Sequence, residues 1–291
     1  MAAPQIAANR RTIAMGIESI RYDGRHALVV GGATGMGAAT AQLLRELGAR
    51  VSVADVQPVP YPVDAAFRLD LRDTTAIDAL IDALPGPVHA LFACAGVSGD
   101  PFSGIDVMKI NFIGQRRLIE RAIGHGLLGS GAAIAAIASI GGFGWDRRLA
   151  LIREFLANAD PAAAVDWLQA HPECANYTFS KQAFITYCKY RAVELGRLGI
   201  RINATGPGPT LTPLMDSTPT WGSFMDNEFG RQTGRAGTSS LEQAWPLVFL
   251  NSAAASAVSG QVLFVDCGYS GAGEAGGIDS SLVNALAPRL S

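Results

Sequence analysis

The stretch Val29-Val-Gly-Gly-Ala-Thr-Gly-Met-Gly37 most constrains what this chain can fold into. A short apolar run, Ala27 to Val30, leads into it, and a helical pattern beginning near Met36 leads out. Gly31 permits a sharp turn where a Cβ would clash. Gly35 lets a backbone approach a pyrophosphate, and Gly37 lets a helix pack closely on its strand. With Thr34 and Met36, these residues place free N–H groups at a helix start, where the positive dipole end suits phosphates. A P-loop is excluded, because no Gly-Lys-Ser/Thr follows and no lysine is present to reach a phosphate.

Downstream, strand and helix patterns alternate. Strands are expected near 25–30, 49–54, 66–69, 88–93, 132–138, 200–205 and 261–265, with helices near 36–47, 73–84, 105–125 and 241–251. Repeated strand–helix units with apolar strands predict an α/β fold: a Rossmann doubly wound parallel sheet of about seven strands in a single domain. Ligands then bind at the carboxyl ends of the strands. Gly31, Asp55, Gly96 and Ser139 all fall there.

Asp55 follows Gly35 by twenty residues. That spacing sets a carboxylate beside an adenosine ribose, where it accepts from the 2′- and 3′-hydroxyls and repels a 2′-phosphate. Val56 and Gln57 bring no cation, so NAD is the expected cofactor. Cys94-Ala95-Gly96 is small enough to lie against the nicotinamide ribose. Asn111, inside the apolar Ile110-Asn-Phe-Ile113, needs partners as a buried amide. It either keeps the helix kinked or holds a catalytic water.

Composition narrows the class. The chain has 291 residues, 49% hydrophobic, with a net charge of −2. No basic surface argues for nucleic acid. No apolar run approaches a membrane span, and Asn9-Arg-Arg-Thr-Ile interrupts any signal-peptide core. Four scattered cysteines form no Cys-x-x-Cys pair, which disfavours a zinc or redox motif. Reduced thiols in a cytoplasm are expected.

Tyr177-Thr-Phe-Ser-Lys181 sets Tyr and Lys four residues apart, on one helix face. A free tyrosine titrates near 10. Proton exchange at neutral pH requires about 4 kcal/mol of stabilisation of the phenolate. One cation at about 4 Å supplies this much at an effective dielectric near 20.

With these motifs together, residues 24–270 resemble the short-chain dehydrogenase/reductase family. The resemblance rests on the glycine turn, Asp55, Asp70-Leu71, Cys94-Ala-Gly96, Asn111, Ser139, Tyr177/Lys181 and Pro207-Gly-Pro-Thr-Leu-Thr212. It implies Tyr177 as general acid/base and Ser139 as the hydrogen-bonding partner of the substrate oxygen. It implies that Lys181 lowers the tyrosine pKa and binds the nicotinamide ribose, and that Asn111 holds a relay water. Asp70 and Leu71 would contact adenine. Ala95, Gly96, Pro207 and Gly208 would line the cofactor, and Thr210 or Thr212 would reach the carboxamide. The expected activity is interconversion of a secondary alcohol and a ketone. The alternatives are an NADP-dependent carbonyl reductase and a catalytically silent NAD-sensing protein.

Ser139 and Tyr177 are 38 residues apart, against about a dozen in most members. The excess, about 143–174, carries helical patterns at Arg148–Leu156 and Ala162–Gln169, broken by Asp160-Pro161. With Cys-Ala-Gly, it is similar to the bacterial 3α-hydroxysteroid dehydrogenase/carbonyl reductase branch, which implies a homodimer, with a tetramer as the alternative. Residues 213–238 read as an apolar substrate lid. Phe143 and Trp145, near the site, point to a bulky apolar substrate. Residues 1–24 read as a leader with a short helix at Arg11–Ile20, and 271–291 as a tail.

Overall fold

A computed structural model describes residues 16–212, 224 and 228–281. Seven strands form one all-parallel sheet in the order β3-β2-β1-β4-β5-β6-β7. They are β1 (His26–Val30), β2 (Arg50–Asp55), β3 (Ala65–Arg68), β4 (Ala90–Ala93), β5 (Ala133–Ile137), β6 (Arg201–Pro207) and β7 (Val262–Val265). The doubly wound fold follows from side chains that alternate along each strand. In β1, Leu28 and Val30 join the core on one face, while Ala27 and Val29 join the core on the other. Both faces of β1, β4 and β5 are buried, which is why these strands read as continuous apolar runs.

The first face is covered by α2 (Thr74–Ala83), α3 (Gly104–Met108), α4 (Gly114–Gly124) and α7 (Tyr177–Arg197). The second is covered by α1 (Gly35–Glu46) and, nearer the C-terminus, by Ser240–Asn251. That helix is α9, after a single turn α8 (Gly230–Thr233), and it starts at a capping box between Ser239 and Glu242. Asp73 caps α2 by accepting from the N–H groups of Thr75 and Ala76.

The expected helix over 105–125 is interrupted. Between α3 and α4, Lys109–Ile113 forms a π-turn in which Gly114 N–H donates five residues back, to Lys109 O. Asp160-Pro161 starts a helix, with the Asp160 carboxylate accepting from Ala162 and Ala163 and Pro161 in the first turn. The two helices between β5 and α7 are α5 (Leu149–Ala157) and α6 (Pro161–Ala170). They are anchored by aromatic packing. Phe155 meets Phe112, Phe179 and Trp167 at 5.6, 5.5 and 5.3 Å between ring centroids. Arg116 donates to Asn158 O and Leu156 O, satisfying the C-terminal end of α5.

A further helix, α10 (Tyr269–Glu274), crosses residue 270, and Cys267 before it adopts a left-handed φ of 58°. Within the expected leader, Ile17–Ile20 forms one 3-10 turn, and Tyr22 is buried with its hydroxyl donating to Val248 O. Residues 11–15 of the expected helix, most of the expected lid and residues 282–291 lie outside the described residues.

Candidate active site

The glycine turn is fixed by close approach. A Cβ on Gly31, whose φ is +80°, would lie 2.4 Å from Ala95 N and Cα. One on Gly37 would lie 2.0 Å from Gly31 O and 3.1 Å from Cys94 Cβ. Gly35 differs: its nearest neighbour would be Thr212 Cγ2 at 3.5 Å, and its φ of +57° demands glycine. The turn therefore lies directly against the end of β4, and the start of α1 opens into a cleft.

One side of that cleft is lined by Gly31, Thr34, Gly35, Met36, Gly37, Asp55, Asp70, Leu71, Ala95, Gly96 and Thr212, among others. The Asp55 carboxylate accepts from Ala33 N at 2.8 Å on one oxygen and from Gln57 N at 2.8 Å on the other. Each oxygen keeps a lone pair for a ribose hydroxyl. Arg72 also lines this side, but its guanidinium is paired with both Asp70 oxygens, at 2.6 and 3.0 Å. The Arg72 pairing holds the Asp70 carboxyl below the usual carboxylate range.

The other side of the cleft gathers Ser139 from the end of β5, Tyr177 and Lys181 from the first turns of α7, and Pro207, Gly208, Thr210 and Thr212 after β6. Asn176 caps α7 through Phe179 N–H, which fixes the helix start and presents Tyr177 at its first position. The Tyr177 phenol hydrogen-bonds Ser139, whose oxygen also accepts from Gly141 N at 3.0 Å. Lys181, 3% exposed, donates to Ile137 O at 3.0 Å, and burial lowers its ammonium to about 8.

Lys181 approaches Tyr177 from the side of its ring. Its Nζ stands over the ring face, 5.5 Å from the centroid. The phenol is pushed up by burial, and the Ser139 hydrogen bond acts in the opposite direction.

Asn111 is fully buried, and its side chain is committed. It accepts from Val97 N at 2.8 Å and donates to Val97 O at 2.9 Å and Ser180 Oγ at 3.1 Å. The amide thus stitches the π-turn to the loop after β4 and to α7, and its main-chain carbonyl accepts from Gln115 Nε2 at 3.0 Å.

Thr210 and Thr212 separate clearly. The Thr210 hydroxyl is buried and turned inward, to Gly208 O at 2.9 Å and Thr238 Oγ1 at 3.2 Å. Thr212 lines both sides of the cleft beside Gly35. Phe143 and Trp145 are not among the cleft residues. Phe143 packs on Phe264 at 5.8 Å, and Trp145 packs against the core under Lys189. Cys94, between the two sides, is a neutral thiol pushed up to about 12 by burial. Gln115, one residue past the π-turn, was not singled out by the sequence pattern, although it lies on the apolar face one turn beyond Asn111.

Among the described residues, no group of side chains could hold a metal ion, and no helix is long and apolar enough to cross a membrane. A family model for short chain dehydrogenase matches residues 25–147, and one described as enoyl-(acyl carrier protein) reductase matches residues 163–270. (+)-Borneol dehydrogenase 1 of Salvia officinalis is 30% identical over 271 residues, 87% of this chain and 96% of that protein. The 3-alpha-hydroxysteroid dehydrogenase/carbonyl reductase of Comamonas testosteroni is 29% identical over 248 residues, 83% of this chain and 95% of that protein. Among solved structures, the 3-alpha-hydroxysteroid dehydrogenase of Pseudomonas sp. B-0831, complexed with NADH, matches with a TM-score of 0.69. It is 28% identical, with 83% of this chain and 95% of that one covered. The glycine turn, the hydroxyl pair beside a buried lysine and these relatives agree: the chain belongs to the short-chain dehydrogenase/reductase family, oxidoreductases that use a nicotinamide dinucleotide.

Proposed function

We propose that the protein is an NAD-dependent dehydrogenase interconverting a secondary alcohol and its ketone. The observation that carries this reading is the Tyr177–Ser139 hydroxyl pair, set beside Lys181 at the carboxyl edge of the sheet. Ser139 holds the substrate oxygen and Tyr177 exchanges its proton, as a general base in oxidation and a general acid in reduction. Lys181 and a water held on Asn111 would carry that proton onward. When bound, the nicotinamide supplies the hydride chemistry. The residues fit the cofactor: a turn with no room for Cβ atoms at Gly31 and Gly37, N–H groups at the start of α1, and Asp55 with acceptors to spare.

Met36, Ile137, Pro207 and Pro209 give the reacting side apolar walls around a few hydroxyls. A cyclic alcohol or ketone with an apolar body fits such walls, in keeping with the names of the relatives. The test is NADH formation at 340 nm with hydroxysteroids and terpenoid and aromatic secondary alcohols, with NADP in parallel. NADH formation supports the reading. Binding of NAD without turnover on any alcohol or ketone would favour a sensor.

Asp55→Ala should weaken NAD binding by roughly 100-fold or more, because two hydrogen bonds to a charged acceptor, about 1.5–3 kcal/mol each, are lost. Its effect on NADP should be smaller, since a repulsive charge is removed at the same time. Fluorescence titration with NADH and NADPH reads both. Wild-type protein binding NADPH more tightly would refute NAD specificity.

We also read the protein as a cytoplasmic homodimer; its four cysteines are all free thiols. Leu241, Trp245 and Phe249 form an exposed apolar stripe at helical spacing on α9, next to Leu263 on the edge strand β7. A second copy would cover both. Trp245→Glu should convert the assembly to monomers in sedimentation velocity. A monomeric wild type, or an unchanged variant, would rule out this face.

A further inference from the structure

Gln115 is 1% exposed and sits one residue beyond the π-turn. Its Nε2 donates to three carbonyls: Ala95 O at 2.9 Å, Asn111 O at 3.0 Å and Ile110 O at 3.2 Å. The orientation of the amide is fixed by chemistry, because a flipped amide would set its oxygen against three acceptors. Its Oε1 is buried without a protein partner. A buried amide that leaves its acceptor unmatched to crowd three carbonyls onto its donor is a costly choice in a core helix, and it calls for an explanation.

The three carbonyls provide one. A π-turn opens the regular helix ladder and exposes carbonyls there. Gln115 gathers two of them, Ile110 O and Asn111 O, and ties them to Ala95 O in the loop after β4. Asn111 ties the same loop two residues later, at Val97, through both its amide N–H and its carbonyl. The segment Ala95–Val97 is thus held at both ends by one helix. Its middle residue, Gly96, lies against Lys181: a Cβ there would come within 3.4 Å of Nζ.

We propose that Gln115 is a positioning residue of the reaction centre, clamping Ala95–Val97 and the π-turn into one rigid wall against which Lys181 and the nicotinamide ribose are placed. This rests on the reading of the cleft given under the proposed function. Gln115 Nε2 also donates to the Asn111 carbonyl, so the residue that sets the helix geometry shares the acceptor on which a relay water would bind.

The test compares wild type with Gln115→Met, which keeps volume and removes both N–H donors that the three carbonyls share, and Gln115→Glu, whose protonated carboxyl can serve one carbonyl. Each is titrated with NADH and with AMP, and its Tm is measured. AMP reports the Asp55 side alone. For Gln115→Met, NADH affinity should fall at least tenfold and by a clearly larger factor than AMP affinity, since AMP shares the Ala95–Gly96 wall but not the nicotinamide ribose, with Gln115→Glu at pH 6 in between. If Gln115→Met fails to fold, the same selective loss in Gln115→Glu carries the test. A lower Tm with unchanged NADH affinity, or equal losses of NADH and AMP, overturns the proposal. Wild type binding NADPH rather than NADH would instead refute the cofactor reading, and the comparison would then run with NADPH.

Discussion

Tyr177→Phe is expected to lower kcat/KM by roughly 10³-fold, the scale of a positioned general acid/base, with NADH affinity within about twofold of wild type. The substitution removes one oxygen and keeps the ring that lies under Lys181 Nζ. Ser139 keeps its hydrogen bond from Gly141 N, so the local turn survives. What disappears is the group that exchanges the substrate proton. Ser139→Ala should cost less, since it removes one hydrogen bond to the substrate oxygen and leaves the proton acceptor. The pH dependence has a definite sign. Burial raises the phenol, so the proton-accepting form is scarce at pH 7 and grows with pH. Alcohol oxidation should therefore accelerate between pH 7 and 9, while ketone reduction, which needs the protonated phenol, should not. Steady-state rates in both directions, with NADH titration of the variant, check all of this. A variant retaining turnover within tenfold of wild type would remove Tyr177 from the chemistry.

The sheet and one wall of the site were legible because they rest on local rules. The apolar strands, the glycine turn and the spacing to Asp55 depend on residues close in sequence. Element ends slipped by a residue or two, as at β4, which begins at Ala90 where the apolar pattern begins at Val88. What sequence could not show depends on packing between distant segments. Phe143 and Trp145 lie close to Ser139 in sequence, yet they turn toward β7 and α7 and leave the cleft. Thr210 and Thr212 are equivalent as a pattern, but Thr238, 28 residues away, takes up the first. Asn111 was legible as an anomaly, a buried amide in an apolar run, but its partners Val97 and Ser180 became visible only in three dimensions. Gln115 escaped for the same reason. A glutamine before two arginines reads as the polar side of a helix, and only its placement under Ala95 makes it an interior residue.

Lys181→Met should show the opposite balance to a structural mutation: a more stable protein with almost no activity. Lys181 is buried, and its ammonium is lowered from 10.5 to about 8. At about 1.4 kcal/mol per pH unit, burying that charge at pH 7 destabilises the folded state by about 3 kcal/mol. Because the folded pKa lies below the unfolded one, the penalty is fully present below pH 8. It is relieved as pH rises from about 8 to 10.5, where the unfolded chain binds the extra proton. Methionine fills a similar volume without charge, but it abandons Ile137 O, which loses its donor at a cost of about 1–3 kcal/mol. The net gain at pH 7 is therefore about 1 kcal/mol, a rise in Tm of about 2–4 °C for a domain of this size. That gain should shrink and reverse toward pH 10, where wild type escapes its penalty and the variant still lacks the hydrogen bond. Activity should fall at least 10²-fold, since the cation beside the phenol and its proton path are gone. Thermal melts of both proteins between pH 7 and 10 read the sign directly. A variant less stable than wild type at pH 7, with the gap closing at high pH, would mean that the ammonium is well solvated in the folded protein and that its burial does not tune the site.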